Sequence, residues 1–314
     1  MSAQPKAVPD LSVLIVSYNT AALVEACLRS IAATIQRCSY EVVVADNGSV
    51  DGTVDMVRQN WASVTVLDIG ANLGFARANN RALHASSGRY VLLLNSDTEV
   101  LDGALDELVA FLDANPRAGM AAPHLLNSDL TDQGTARAFP SAAAALFGRK
   151  SLLTRLFPAN RWSRRYLVGR TQHGNAPFAV DWVSGACLMV RRSVIDLVGA
   201  LDEGFFMYWE DADWCRRVGN AGFGVYCVPS ARVVHHEGQS SRGQSARLVW
   251  EFHRSVFHYY TKYYTGLAAV ALRPAVGLAL AGRAAAIIAA DRARVLVQTA
   301  APRPKGWSAN HGAR

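Results

Sequence analysis

The chain has 314 residues, 51% of them apolar, which is enough for a large core and excludes a globally disordered protein. Its net charge of +7 is unevenly placed: residues 133–180 hold eight bases and no acid, residues 241–314 hold eleven bases against Glu251 and Asp291, and the remainder is acidic. Five scattered cysteines without a CxxC pair exclude a disulfide framework and a thiolate metal site, and fit a reducing cytosol.

In chain order, Leu11 to Ser17 (LSVLIVS) is a short, apolar, β-branched run expected to be a buried strand. Residues 20–36 place Leu23, Cys27, Leu28 and Ile31 at helical spacing. A second strand is expected over Glu41 to Ala45, ending in DNGSVDGT, and a helix over Asp51 to Asn60. Val64 to Leu67 reads as a third strand, residues 75–86 as a helix, and Tyr90 to Leu94 (YVLLL) as a fourth strand running into NSDTEV. A helix over Leu105 to Leu112 is stopped by Asn115-Pro116. This alternation predicts an α/β domain with a mostly parallel sheet.

Beyond residue 120 the alternation fades. Residues 139–180 are basic and irregular, Asp181 to Arg192 is strand-like, and Phe223 to Val228 and Arg232 to His236 read as two short strands. From Leu248 the pattern is helical. A bilayer span takes about 20 apolar residues. The best candidate, residues 267–290, is interrupted by Arg273, Pro274 and Arg283, so no crossing segment is expected. The first residues, MSAQPKAVPD, contain no apolar signal core. The two basic segments suit an anionic partner, such as lipid headgroups, a diphosphate or nucleic acid, or serve as a solubilising surface. No nucleic-acid-binding module stands out, so nucleic acid is not expected as a partner.

Ligands of open α/β sheets bind at the carboxyl ends of the strands, which makes two polar loops informative. Asp46 follows the second strand. As an acceptor-only carboxylate it suits a nucleobase imide N–H, or it makes a tight Asx turn. Asn95 and Asp97 follow the fourth strand, and such oxygens suit a hard divalent cation holding a diphosphate, or a helix cap. His235 and His236 end a strand-like run, and a neutral imidazole there completes a metal site or serves structure only. In FFMYWEDADW, Glu210, Asp211 and Asp213 lie among aromatics. Lost hydration strengthens a carboxylate as a base, whereas acids also favour a helix N-terminus.

The stretches SVLIVSYN, VVVADNGSVDGT, GANLGFARANNRAL, YVLLLNSDTEV, SGACLMVRR, GALDEGFFMYWEDADWCRRVGNAGF and HHEGQS occur in this order between Leu11 and about Ser240. Together they resemble family 2 glycosyltransferases, most closely bacterial rhamnosyltransferases that use dTDP-L-rhamnose. The resemblance implies the GT-A fold, a Rossmann-like α/β class with a mixed sheet flanked by helices. It implies a catalytic domain over 1–240, with a nucleotide-sugar half (1–120) and an acceptor half (121–240), and leaves 241–314 as a basic helical extension. Ser17, Tyr18, Asn19, Asp46, Asn72, Gly74, Asn80, Asn95 and Ser96 would then surround the nucleotide sugar, with Asp46 on the pyrimidine. Asp97 and His235 would hold Mg2+ or Mn2+, with Asn95 standing at the first position of the DxD motif. Asp211 would be the general base of an inverting transfer, and Trp209, Glu210, Asp213 and Gly185 would meet the acceptor.

The implied donor is a dTDP- or UDP-sugar, and the implied acceptor a glycan or polyprenyl-diphosphate-linked sugar in cell-envelope synthesis. The implied location is cytoplasmic, peripheral on an anionic inner leaflet. The alternatives are a galactosyl- or N-acetylglucosaminyltransferase using a UDP-sugar, or a non-catalytic nucleotide-sugar-binding protein. A dinucleotide oxidoreductase is disfavoured because SYNTAA, not GxGxxG, follows the first strand.

Overall fold

The computed structural model describes residues 7–139, 174–238 and 245–300. The chain divides into two compact units, Met1–Arg242 and Gly243–Arg314. The basic run from Arg149 to Arg170 lies outside the described residues, as do Gln239 and Ser240.

The first unit opens as predicted. Strands β1 (Leu11–Ser17), β2 (Tyr40–Asp46), β3 (Thr65–Asp68) and β4 (Tyr90–Asn95) alternate with helices α1 (Ala21–Thr34), α2 (Thr53–Asn60) and α3 (Phe75–His84). All four strands run parallel, in the order β3-β2-β1-β4. The core lies where α1 and α4 (Ala104–Ala114) pack Val24, Cys27, Leu28, Leu105 and Leu108 against Leu11, Val13 and Ile15. Helix α4 adds four fully or nearly buried apolar side chains to that face, Leu105, Leu108, Val109 and Leu112, at helical spacing.

The second half departs from the predicted pattern. Asn95-Ser96-Asp97 is a turn into β5 (Thr98–Val100) rather than a helix cap; α4 starts later, after Gly103. Strand β6 (Ala118–Leu126, AGMAAPHLL) was not foreseen, yet all nine of its residues are buried. It lies between β10 (Cys187–Arg191) and β11 (Gly224–His235), and that tertiary setting overrides the weak β-propensity of its alanines and proline. The two short strands expected over residues 223–236 are one strand, β11, with a register break between Val228 and Arg232. Pro229 supplies no N–H to the ladder there, which is why the sequence looked interrupted.

Strand β10 runs antiparallel to β4, and β11 carries both β5 and β8 (Phe178–Val180). A separate ladder joins β7 (Ala136–Arg137) to β9 (Trp182–Val183). Among the described residues, the unit also holds helices α5 (Arg192–Val198) and α6 (Glu210–Asn220).

The second unit is a helix pair, α7 (Ser245–Tyr263) and α8 (Leu267–Ala300). Tyr260 Oη–H donates to Ala269 O, and Arg273 Nη2–H to Thr261 O, fastening the pair. Helix α8 corrects the expectation of no apolar span. It passes through Pro274 unbroken, and Leu267–Ala293 is long and apolar enough to cross a membrane by length and composition. Arg273 does not interrupt the outer surface because it turns inward toward α7. The outward positions carry Leu267, Leu272 and Leu278, exposed by 92%, 55% and 76%.

Candidate active site

The carboxyl ends of β1, β2 and β4 lie side by side. Ser17 pairs in register with Asp46, and Val16 with Asn95. At the β2 end, Asp46 is fully buried and holds the following loop. Its carboxylate accepts from Ser17 Oγ–H at 2.7 Å, from the Gly48 and Ser49 N–H groups, and from Ser49 Oγ–H at 2.6 Å. Asn19, at φ 55°, ties the neighbouring loop to this one: its N–H donates to Ser49 Oγ, and its Oδ1 accepts from Val50 N–H. Tyr18 is partly exposed between them, and Ser96 is buried in the β4 turn.

At the β4 end, Asp97 and His235 meet. Their Oδ1 and Nε2 atoms are 3.2 Å apart, and Asp97 is 2% exposed. The adjacent backbone is locked, because His236 N–H donates to Asp97 O. Gln133 sets the imidazole. Its Nε2 donates to Asn127 Oδ1 and to His235 O, so its Oε1 is the acceptor for His235 Nδ1–H at 2.7 Å. His235 Nε2 faces a carboxylate oxygen of Asp97, with Asn95 Nδ2 at 3.4 Å, and in the neutral form of the ring that nitrogen is an acceptor. Two acceptors at that distance repel unless a proton or a cation lies between them. Among the described residues no group of three or more His, Cys, Asp or Glu is placed to hold a metal ion. Two protein ligands suit a divalent cation that takes its remaining oxygens from a diphosphate and water.

The acidic cluster opens α6. Tyr208 and Trp209 precede it with φ of 70° and 71°, a left-handed pair that costs on the order of 1–3 kcal/mol per residue. This turn is held from α3: Phe75 N–H donates to Phe206 O at 2.7 Å. Gly74, at φ 90° and ψ 174°, allows the approach, since a Cβ there would collide with the Phe206 carbonyl and lie 2.7 Å from its ring. Asn72 Oδ1 accepts from Gly74 N–H and shapes the same bend.

Asp211 is partly exposed, and its two oxygens accept from Gly185 N–H at 2.9 Å and from Ala212 N–H at 2.8 Å. Burial pushes its carboxyl above the usual range; the Gly185 N–H and the charge of Arg137 oppose that rise. Glu210 is 5% exposed, and its Oε2 has no hydrogen-bond partner. Burial, then the Asp211 and Asp213 charges, hold its carboxyl well above the usual range.

These groups form one continuous site. Gly185, which positions Asp211, is followed by Ala186, whose carbonyl accepts from Asn95 N–H; Asn95 in turn faces His235. The Asp211 carboxylate is thus linked along the sheet rim to the Asp97–His235 pair, with the β1 and β2 loops alongside. The sequence profile described as Glycosyl transferase family 2 matches residues 12–196. The chain belongs to this family.

Among its relatives, the N-acetylglucosaminyl-diphospho-decaprenol L-rhamnosyltransferase of Mycobacterium tuberculosis is 34% identical over 268 residues, covering 82% of this chain and 85% of the relative. The dTDP-rhamnosyl transferase RfbF of Shigella flexneri is 23% identical over 64% of this chain and 61% of its own. The fold matches the mannosyltransferase PcManGT of Pyrobaculum calidifontis, solved with GDP-Man and Mn2+, at a TM-score of 0.56. That match has 19% identity and covers 94% of this chain and 83% of that one. It also matches GalNAc-T7, solved with UDP, GalNAc and Mn2+, at a TM-score of 0.54, with 15% identity, 74% of this chain and 45% of that one. These likenesses establish the GT-A fold.

In this family 2 glycosyltransferase several polar residues hold structure where contact with ligands was expected. Asn80 is 5% exposed, and its amide is spent on Leu201 and Glu203: Nδ2 donates to Leu201 O and Glu203 Oε1, and Oδ1 accepts from Leu201 N–H. Asp213 is fully buried and bonds Arg217 Nε at 2.9 Å, one helical turn on, so it faces the fold rather than an acceptor. Two residues off along a helix is about 200° round the axis from Asp211. Asp46 accepts from four donors and so organises the DNGS loop. Gln133 and Arg137 were not anticipated, because nothing local in TDQGTAR distinguishes them from loop residues.

Proposed function

We propose that this chain is an inverting, metal-dependent rhamnosyltransferase. It moves L-rhamnose from dTDP-rhamnose to a hydroxyl of a sugar linked to a polyprenyl diphosphate, in cell-envelope synthesis. The reaction class rests on one observation: the run of contacts from Asp211 through Gly185, Ala186 and Asn95 to His235 and Asp97. The acceptor and the sugar follow the Mycobacterium tuberculosis relative, whose name states both.

Asp97 and His235 would hold Mg2+ or Mn2+, which supplies positive charge to the departing diphosphate. Gln133 keeps the His235 lone pair directed at that position. Ser17, Tyr18, Asn19, Asn72, Gly74 and Ser96 shape the nucleotide-sugar side, and Asn95 joins it to the acceptor side. Asp211 takes the proton of the attacking hydroxyl, and its burial makes it a stronger base than an ordinary aspartate. Attack from the Asp211 side and departure toward Asp97 is a displacement that inverts the anomeric carbon. Trp209 offers an aromatic face to the acceptor sugar. Glu210 is the buried neighbour whose carboxyl the charge of Asp211 helps to raise.

The helix pair meets the membrane that holds such an acceptor. Outward Leu267, Leu272 and Leu278 enter the apolar boundary of an anionic cytoplasmic leaflet, whose phosphates attract the net positive charge of residues 241–314.

Release of nucleoside diphosphate from dTDP-rhamnose, UDP-galactose and UDP-GlcNAc, with and without a GlcNAc-diphosphoryl-lipid, tests the reading. Turnover is expected with dTDP-rhamnose plus acceptor, abolished by EDTA, with inverted anomeric configuration by NMR. Full activity in EDTA, a retained configuration or preference for a UDP-sugar refutes it.

A further inference from the structure

Arg137 sits at the junction between the base and the basic segment, and no role has yet been given to it. It pairs in register with Trp182 in the β7–β9 ladder, and its guanidinium lies 4.8 Å from the centre of the Trp182 ring. That ring is 5% exposed and locked, because its Nε1–H donates to Ala138 O at 3.0 Å. A cation on an aromatic face is held in place while the edge of its planar fork stays available. Among the described residues, Arg137 makes no hydrogen bond and no ion pair through that fork, although it is partly buried. Its charge does act on Asp211.

The same ladder builds the base. Ser184 N–H donates to Thr135 O at 3.3 Å, and the next residue, Gly185, donates to Asp211. Arg137 therefore belongs to the element that presents Asp211. The base has to face the attacking hydroxyl, so space beside it on this ladder belongs to the attacking molecule. The donor's diphosphate departs toward Asp97 and His235, across the rim.

We propose that Arg137, laid on the Trp182 ring, binds the diphosphate of the acceptor and so seats its sugar hydroxyl at Asp211. This rests on the reading of the protein as a transferase for a diphosphate-linked acceptor. A guanidinium fork matches two phosphate oxygens at once, which an ammonium does not. The ring supplies the rigidity that makes the match specific for position as well as charge.

The test uses the full chain and the variants Arg137→Gln and Arg137→Lys. Two acceptors are compared, a short-chain GlcNAc-diphosphoryl-prenyl ester and a GlcNAc alkyl glycoside without phosphate. Loss of one charge-assisted contact raises KM for the diphosphate acceptor by roughly 10–100-fold in R137Q, less in R137K. The donor KM stays within about twofold, and on the neutral glycoside the acceptor KM of R137Q equals that of wild type, the lost charge beside Asp211 acting on kcat equally with both acceptors. An equal rise in KM for both acceptors overturns the proposal, and so does a rise confined to the donor KM, which would place Arg137 on the donor's diphosphate. A second readout needs no turnover: quenching of tryptophan fluorescence by geranyl diphosphate, with dTDP and Mn2+ saturating. R137Q is expected to bind it at least tenfold more weakly, and equal affinity overturns the proposal. Tight, Arg137-dependent binding without transfer to either acceptor would refute the transferase reading while leaving the anion site standing.

Discussion

Replacing Asp211 by Asn removes the base while keeping its shape. Both oxygens of Asp211 accept backbone N–H bonds, from Gly185 and Ala212. An amide has one oxygen, so one of those donors faces an NH2 group, a loss of about 1 kcal/mol. Against that, the neutral amide carries no burial penalty, the cause that raises the Asp211 carboxyl, and no charge to raise the carboxyl of Glu210. The two effects oppose, so the melting temperature should move by no more than about 2–4 °C, the shift that roughly 1 kcal/mol produces in a protein of this size. Catalysis has no such compensation. General-base assistance is worth about 10²–10⁴-fold, or about 3–5 kcal/mol of barrier at 1.36 kcal/mol per tenfold. Release of dTDP under saturating donor and acceptor measures the catalytic loss, and thermal shift with and without dTDP-rhamnose measures stability and donor binding. The wild-type pH profile should rise through an acid limb above the ordinary carboxylate range, and D211N should lose that limb. Turnover within threefold of wild type would show that the base is elsewhere. A collapse of donor binding would show that Asp211 serves structure instead.

Three further outcomes follow from neighbouring residues. Glu210 titrates above its unfolded value, so its burial cost is absent below the ordinary glutamate range, near about 4.3, and grows as pH rises toward the raised folded value. Glu210→Gln should therefore gain stability over wild type at neutral pH and lose that gain near pH ~4, read from urea midpoints; a difference independent of pH contradicts the assignment. Gly74→Ala forces a Cβ into a backbone region that is essentially glycine-only and against the Phe206 carbonyl, so unfolding should become easier by at least about 1–3 kcal/mol, with weaker nucleotide-sugar binding. A wild-type denaturation midpoint would show that α3 and the Phe206 turn are not clamped together. Gln133→Leu frees the His235 ring, and Mn2+ affinity measured by electron paramagnetic resonance should fall roughly 10–100-fold; unchanged affinity would remove His235, or its orientation by Gln133, from the metal site.

The α/β half of the fold was legible because its signals are local. Strands β1, β2 and β4 are continuous apolar runs, and α1 and α4 repeat buried residues at helical spacing, so hydrophobic period alone marks them. The polar turns after those strands also showed where a site would lie, because parallel strands deliver their carboxyl ends to one edge. Strand β6 stayed hidden, since small residues and a proline acquire strand geometry only when two neighbouring strands enclose them.

What the sequence determined by itself was the alternating elements of the first half and the loops that carry Asn95, Asp97, Asp211 and His235. What only the tertiary structure decided was how each polar side chain is used. Asn80 and Asp213 look as available as Asp211 in the sequence, yet one is spent on Leu201, 121 residues away, and the other on Arg217. Gln133 orients an imidazole 102 residues further on, and Gly185 N–H fixes a carboxylate 26 residues further on. Hydrophobic patterning is a property of neighbours along the chain, whereas the satisfaction of a buried polar group depends on whatever the fold brings to within hydrogen-bonding distance.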